Sequence, residues 1–449
     1  MAADVNAELL DAKDYAESEN YGKAWPIVSK VLNDEPDNPQ ALCIAAYMMN
    51  LQGNAGLGYQ LMKRVTTMFP ANPTGWLNLG KACDDLWKME EAEACYRRAL
   101  NNIKAGDDKT KMLVFNNLSA MYTQMGKYQQ GRHYAERALQ IDPTHLKARH
   151  NVGLSMLAQR EWKEGWKQYE ASVGSPHRIM FRYGDEPEWK GEKNATVAVY
   201  GEQGIGDEIC AASVYNDAIR DCKKLVIDCD ARLKNIFQRS FPAAKVYGTR
   251  SQKVLDWNEE DHHIDYSISA VQLGSLYRNK DEDFPRVPYL VADKEQVFMW
   301  KALWASKKKP VVGMAWTGGI KNTAEHARTL TIEQLKPILG IDAHFVNLSY
   351  KKCDSPGMAT YEHATLSKDY DQTASLVASL DAVIGVPTSV IHLAGALGVP
   401  TIAMKSPISC WKYTSGLPFH PCTLVENDGD WGKTINNAAR LLRREIGHE

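Results

Sequence analysis

A chain of 449 residues, 44% hydrophobic and 24% charged, has the composition of a soluble globular protein and is too long for one ordinary core, so two to three domains are expected. A formal net charge of −2 gives no electrostatic case for a nucleic-acid coat or a membrane-surface protein, and no apolar run approaches a membrane span. The start, MAADVNAELLDAKDYAE, lacks the basic-then-apolar order of a signal peptide, and the nine cysteines form no Cys-x-x-Cys pair; together these argue against zinc and for a reducing cytoplasm.

The first elements in chain order repeat. Pro36 and Pro70 lie 34 residues apart, each closing a helical pattern. Trp76-Leu77-Asn78-Leu79-Gly80 opens a unit that continues through Ala92, Tyr96 and Ala99. Phe115, Leu118, Ser119 and Tyr122 open another, ending at Ala138 and Pro143, and Arg149, Val152 and Gly153 begin a third. These residues resemble the tetratricopeptide repeat, in which small residues let helices cross closely and aromatics fill the space between pairs. The period predicts five units, 5–38, 39–72, 73–111, 112–145 and 146–179, with an insertion around KAGDDKT in the third. The array predicts a concave platform for a partner. In the last unit, Trp162, Trp166 and Tyr169 read as a stapling face toward the next domain.

After residue 180 the period changes to short strands alternating with helices. The expected elements are strand 196–200, helix 207–220, strand 224–230, helix 231–240 and strands 245–249 and 263–269. A helical connector at 291–306 leads to strand 311–316, helix 331–339, strand 344–350, helix 371–380, strand 382–386, helix 389–398, strand 401–404 and helix 432–446. The fold class is therefore α + α/β: an N-terminal solenoid, 1–180, and two Rossmann-like parallel domains, 181–300 and 301–449.

Three loops follow strand ends, where ligands of such sheets bind. TVAVYGEQGIGDEIC, 196–210, joins a β-branched strand to glycines at 201, 204 and 206 and to Asp207 at a helix start. The same pattern suits a glycine-rich turn with Asp207 as a helix cap. Thr317-Gly318-Gly319 follows the strand VVGMAW, with Asn322, His326 and Arg328 downstream; Pro387-Thr388-Ser389 follows AVIGV. Free amides and hydroxyls at the last helix start suit a phosphate or diphosphate, with Arg328 as a fork. Taken singly, Ser389 reads as a cap and Arg328 as a solvated cation. Their places at matched strand ends favour an anion site.

GWKQYE and PEWKGE (165–170, 187–192), GEQGIGDEI (201–209), VGMAWTGG with ARTLT (312–319, 327–331) and LDAVIGVPTSVIHLAGALGVP (380–400) resemble GT-B glycosyltransferases of the heptosyltransferase-like, family 9-like class, in the branch with a tetratricopeptide array. The resemblance spans nearly the whole chain. It implies an inverting transferase that moves a sugar from a nucleotide-sugar donor to an acceptor hydroxyl, with no metal and no cofactor beyond the donor substrate. On this resemblance Asp207 is the catalytic base. Gly204, Gly206, Thr317, Gly318, Arg328, Thr388, Ser389 and His392 hold the donor and its phosphates, mainly from the C-terminal half. Trp411 is a candidate for stacking on the nucleobase, with core packing an equal reading. One position departs: where the family usually has Asp before the Thr, this chain has Pro387. That keeps two alternatives open, a catalytically inactive binding scaffold and a protein O-glycosyltransferase. Acceptors of glycan, lipid-linked saccharide, protein or modified nucleic-acid type all remain open, as does a protein partner on the repeats.

Asp228-Cys229-Asp230 reads as strand end and helix cap, not a metal site, and His262-His263 reads as a solvated loop.

Overall fold

The computed structural model describes residues 2–175, 178–250, 252, 255–319, 325–408, 410–413 and 418–447, apart from the side chains of 2–4 and 326. It divides into two compact units, 1–152 and 153–449.

Five helix pairs run to Glu170: α1 (Ala2–Glu17) and α2 (Tyr21–Asp34); α3 (Pro39–Leu51) and α4 (Ala55–Met68); α5 (Pro73–Asp85) and α6 (Met89–Asn102); α7 (Asp108–Gln124) and α8 (Tyr128–Ile141); α9 (Leu146–Ala158) and α10 (Trp162–Glu170). Three pairs fall within their expected repeats, while α1 starts three residues before 5–38 and α7 starts four residues before 112–145. Helices α3 and α5 start alike: Asn38 and Asn72 accept the amides two and three residues on, and proline takes the first helical position, where no N–H is needed. The turn inside each pair uses one left-handed residue: Glu19, Gly53, Trp87, Gly126 and Arg160, with φ of 58°, 79°, 59°, 72° and 64°. The 34-residue period is thus written in the backbone, with the insertion lengthening only the step from Trp87 to Gly126. Close crossing follows from Gly80, where a Cβ would stand 2.6 Å from the Tyr96 ring. Leu77, Leu79, Met62, Leu118 and Tyr122 fill the core around it.

The second unit contains two parallel sheets. The first holds β1 (Thr196–Tyr200), β2 (Lys224–Asp228), β3 (Lys245–Tyr247) and β4 (Tyr266–Ser269) in the order β3-β2-β1-β4. Helices α11 (Ile205–Ala212) and α12 (Tyr215–Asp221) follow β1, and α13 (Lys234–Ser240) follows β2. The single helix expected over 207–220 is broken at Ser213. Its hydroxyl donates back to the Cys210 carbonyl at 2.7 Å, and its own carbonyl accepts from Arg278 at 2.8 Å. Helix α14 (Gly274–Tyr277) follows β4, and α15 (Lys294–Trp304) leads to the second sheet.

That sheet holds β5 (Val311–Ala315), β6 (His344–Asn347), β7 (Ala359–Thr360), β8 (Ala382–Gly385), β9 (Thr401–Met404) and β10 (Thr423–Val425) in the order β10-β9-β8-β5-β6-β7. Between its strands lie α16 (Glu325–Arg328), α17 (Ile332–Leu339), α18 (Glu362–Thr365), α19 (Tyr370–Val377) and α20 (Ser389–Leu397); α21 (Trp431–Glu445) closes the chain. Strands β7 and β10 are too short to carry a period in the sequence. The central strands are buried on both faces: Val311, Ala315 and Val383 enter one core, while Val312, Met314, Ala382 and Ile384 enter another. This is why they read as continuous apolar runs.

The strand orders locate the crevices. In the first sheet the chain winds outward from β1 through β2 to β3, then returns to place β4 on the other side of β1. In the second it winds from β5 to β7, then returns to place β8 beside β5. Each reversal opens a gap at the carboxyl ends of the two strands that flank it. The loops after β1, β5 and β8 are the three singled out in the sequence.

Candidate functional site

At the first reversal the glycines provide room rather than unusual dihedrals, since Gly201, Gly204 and Gly206 are absent from the positive-φ glycines. A Cβ on Gly201 would overlap the Glu208 carboxyl at 2.3 Å. Glu208 is 1% exposed, and burial pushes its carboxyl up to about 8 against the opposing pull of Arg250, with which it pairs. Gly206 lets two helices meet: a Cβ there would touch Ser389 Cα and His392 Cδ2 of α20, each at 3.3 Å. The start of α11 therefore packs on the start of α20, and the two reversals face each other.

Asp207 is the third residue of α11, and both its oxygens are engaged. Oδ2 accepts the Gly204 N–H at 3.0 Å, and Oδ1 pairs with the ammonium of Lys412. Burial pushes that ammonium down to about 8, with Glu202 pulling it up and Arg178 pushing it further down. Arg178 and Glu202 themselves form a fully buried pair with N···O distances of 2.6 to 3.1 Å, and Ser269 donates to the same carboxylate at 2.6 Å. A cavity of about 10 Å³ lined by Asp207, Cys210, Ala270, Trp411, Lys412 and Phe419 has room for about one water and none for a nucleotide.

At the second reversal Thr388 is the residue before α20, and its hydroxyl is buried with no hydrogen-bond partner. The first amides of α20 point the same way by helix geometry. Gly318 lies against this corner: a Cβ would come 3.1 Å from the Arg328 carbonyl and 3.3 Å from Thr388 Cγ2. Arg328 donates to the Pro387 carbonyl at 2.6 Å, so one arm of its guanidinium holds the loop. The Thr317 hydroxyl bonds to that of Ser349. Ser389 Oγ accepts from the Tyr370 hydroxyl at 3.0 Å. Thr388, Gly318 and Arg328 thus share one corner, and Gly204, Gly206 and Asp207 share the opposite one.

His392 and Trp411 are both buried among neighbouring side chains. His392 is 4% exposed, with Nδ1 3.1 Å from Cys210 Sγ and 3.0 Å from His420 Nε2, and with Nε2 2.6 Å from the Tyr413 hydroxyl. Both ring nitrogens are therefore occupied. Trp411 is 4% exposed and packs edge-on against Trp162, Trp166, Tyr169 and Phe419 at centroid distances of 5.5 to 6.5 Å. Core packing, one of its two readings, matches these contacts. Trp166 also donates to the Arg278 carbonyl at 2.8 Å, which makes the aromatic face of α10 a staple within this unit. Asn322 and the side chain of His326 lie outside the described residues.

The sequence reading missed Lys412, the Arg178–Glu202 pair, Cys210, His420 and Tyr413. No spacing rule links residues 182 positions apart, such as Cys210 and His392. Asp230 caps the short helical turn after β2 as expected, while Asp228 accepts from Thr249 and Tyr183.

Residues 73–103 and 114–145 match the family model described as tetratricopeptide repeat, so the N-terminal region carries such repeats. The chain is 30% identical to Protein FlbA of Caulobacter vibrioides over 326 residues, covering 64% of this chain and 53% of that protein; it spans about half the length of this curated relative. Among solved structures, it is similar to MamA at 17% identity, covering 36% of this chain and 91% of that one, with a TM-score of 0.30. It is also similar to PilF of Pseudomonas aeruginosa at 19% identity, covering 38% and 78%, with a TM-score of 0.34.

Proposed function

We propose that this protein is an inverting, metal-independent glycosyltransferase of the GT-B type, with the repeat array as the platform for its acceptor or a partner. The observation that carries the reading is the meeting of α11 and α20. It sets Asp207 at one sheet reversal opposite the unpartnered Thr388 hydroxyl, the α20 amides and Arg328 at the other. In the reaction, the acceptor hydroxyl gives its proton to Asp207 while its oxygen bonds to the anomeric carbon. The bond from that carbon to the diphosphate breaks, and its electron pair leaves with the phosphate oxygen. Helix-start amides, Thr388 and Arg328 would stabilise that charge. For this to happen, acceptor entry must draw Lys412 away from Asp207.

Two observations favour the second reading, a binding scaffold without catalysis: both Asp207 oxygens are engaged, and Pro387 stands where the resemblance leads one to expect Asp. A thermal-shift screen of the full chain against nucleoside diphosphates and their sugar conjugates separates the two. The transferase reading expects a selective rise with one nucleotide class. It also expects Asp207→Asn to lower transfer by about 10²- to 10⁴-fold while donor binding stays. A flat response from folded protein supports the scaffold. Transfer to peptides would mark a protein O-glycosyltransferase.

A further inference from the structure

Cys210 of α11, His392 of α20 and His420 come from three segments and bring one ligand atom each within 4.8 Å of the others, all buried. Outer contacts orient two of the rings. His420 Nδ1 lies 3.3 Å from the Pro421 carbonyl, which can only accept, so Nδ1 carries the proton and Nε2 presents a bare lone pair inward. His392 Nε2 is held by the Tyr413 hydroxyl at 2.6 Å, leaving Nδ1 facing both His420 Nε2 and the Cys210 sulfur. The ring of His420 lies over α20 only because residue 395 is glycine: a Cβ there would stand 2.1 Å from Nδ1.

We propose that Cys210, His392 and His420 bind a zinc-class cation that ties the start of α11 to α20. One sulfur and two imidazole nitrogens are the donor set of such ions, and a tyrosine and a backbone carbonyl supply the outer hydrogen bonds that usually hold ligating histidines. Binding displaces the Cys210 thiol proton to solvent and leaves a thiolate on the metal. With metal bonds of about 2.0–2.3 Å, a tetrahedral ion holds its ligand atoms about 3.4–3.6 Å apart, so the two pairs that His392 Nδ1 makes, at 3.1 Å with Cys210 and 3.0 Å with His420, open by a few tenths of an ångström. The three ligands are distinct from Asp207, Thr388, Gly318 and Arg328, so the proposal stands independently of the transferase reading.

The test uses the full chain, stripped with a chelator and titrated with Zn²⁺ and then Co²⁺. The expected result is one tightly held ion per chain and, with cobalt, a thiolate-to-metal charge-transfer band. Cys210→Ser removes that band. Tyr413→Phe and Gly395→Ala keep all three ligands but weaken binding by about tenfold or more through the outer contacts. A folded wild-type chain that takes up no ion at equimolar metal overturns the proposal, as does an unchanged cobalt spectrum in Cys210→Ser. Because the wild-type titration decides alone, a variant that fails to fold leaves the answer intact.

Discussion

At the residue scale, the solenoid holds a carboxyl that is buried with one oxygen unpartnered. Asp84 on α5 is 6% exposed and its Oδ1 has no hydrogen-bond partner. Burial pushes its carboxyl from 3.8 up to about 7, with Lys81 pulling the other way. The native state therefore keeps a proton that the unfolded chain has released across that window, so stability falls as pH rises from about 4 to 7, at up to about 1.4 kcal/mol per pH unit. Asp84→Asn should flatten urea midpoints measured against pH and add on the order of 2–4 kcal/mol at pH 8. A wild-type stability that climbs through the window would mean that Asp84 is ionised and paired. In the α/β unit, by contrast, Arg178 and Glu202 bury opposite charges together, and the buried Lys412 pairs with the partly exposed Asp207.

At the element scale, the repeat depends on its turns. Glu19, Trp87 and Arg160 adopt a left-handed conformation that glycine takes at the matching positions Gly53 and Gly126. A side chain there costs about 1 kcal/mol or more. Glu19 is exposed, so replacing it removes no packing. Glu19→Gly should stabilise by about 0.5–1 kcal/mol and Gly53→Ala should destabilise by a similar amount, both read from denaturant melts. Equal midpoints for all three proteins would show that the turns carry no such strain. The same sensitivity to one methyl group governs the contact of α11 with α20 at Gly206.

At the scale of the molecule, the two compact units each have their own cores: Leu77, Tyr96 and Leu118 in the first, the strands and their covering helices in the second. Calorimetry of the full chain should resolve two transitions. Under the proposed function only the transition of the α/β unit moves with nucleoside diphosphate, by about 2.7 kcal/mol of stabilisation at a hundredfold excess over Kd. A shift of the solenoid's transition alone would place the nucleotide on the repeats and remove the donor site from the sheets.

Whatever is local and periodic was legible in the sequence. The repeat period, the unit boundaries at 39 and 73, and strands such as 196–200 and 401–404 follow from hydrophobic period and β-branched runs, which act over a few residues. The strand ends bearing Asp207, Gly318 and Thr388 were legible for the same reason. Tertiary structure alone decided what those residues touch. Lys412 on Asp207, Pro387 under Arg328, and His392 turned toward Cys210 and His420 depend on how sheets and helices bring distant segments together. Such pairings leave no spacing in the chain, because burial and charge select partners in space and not along the sequence.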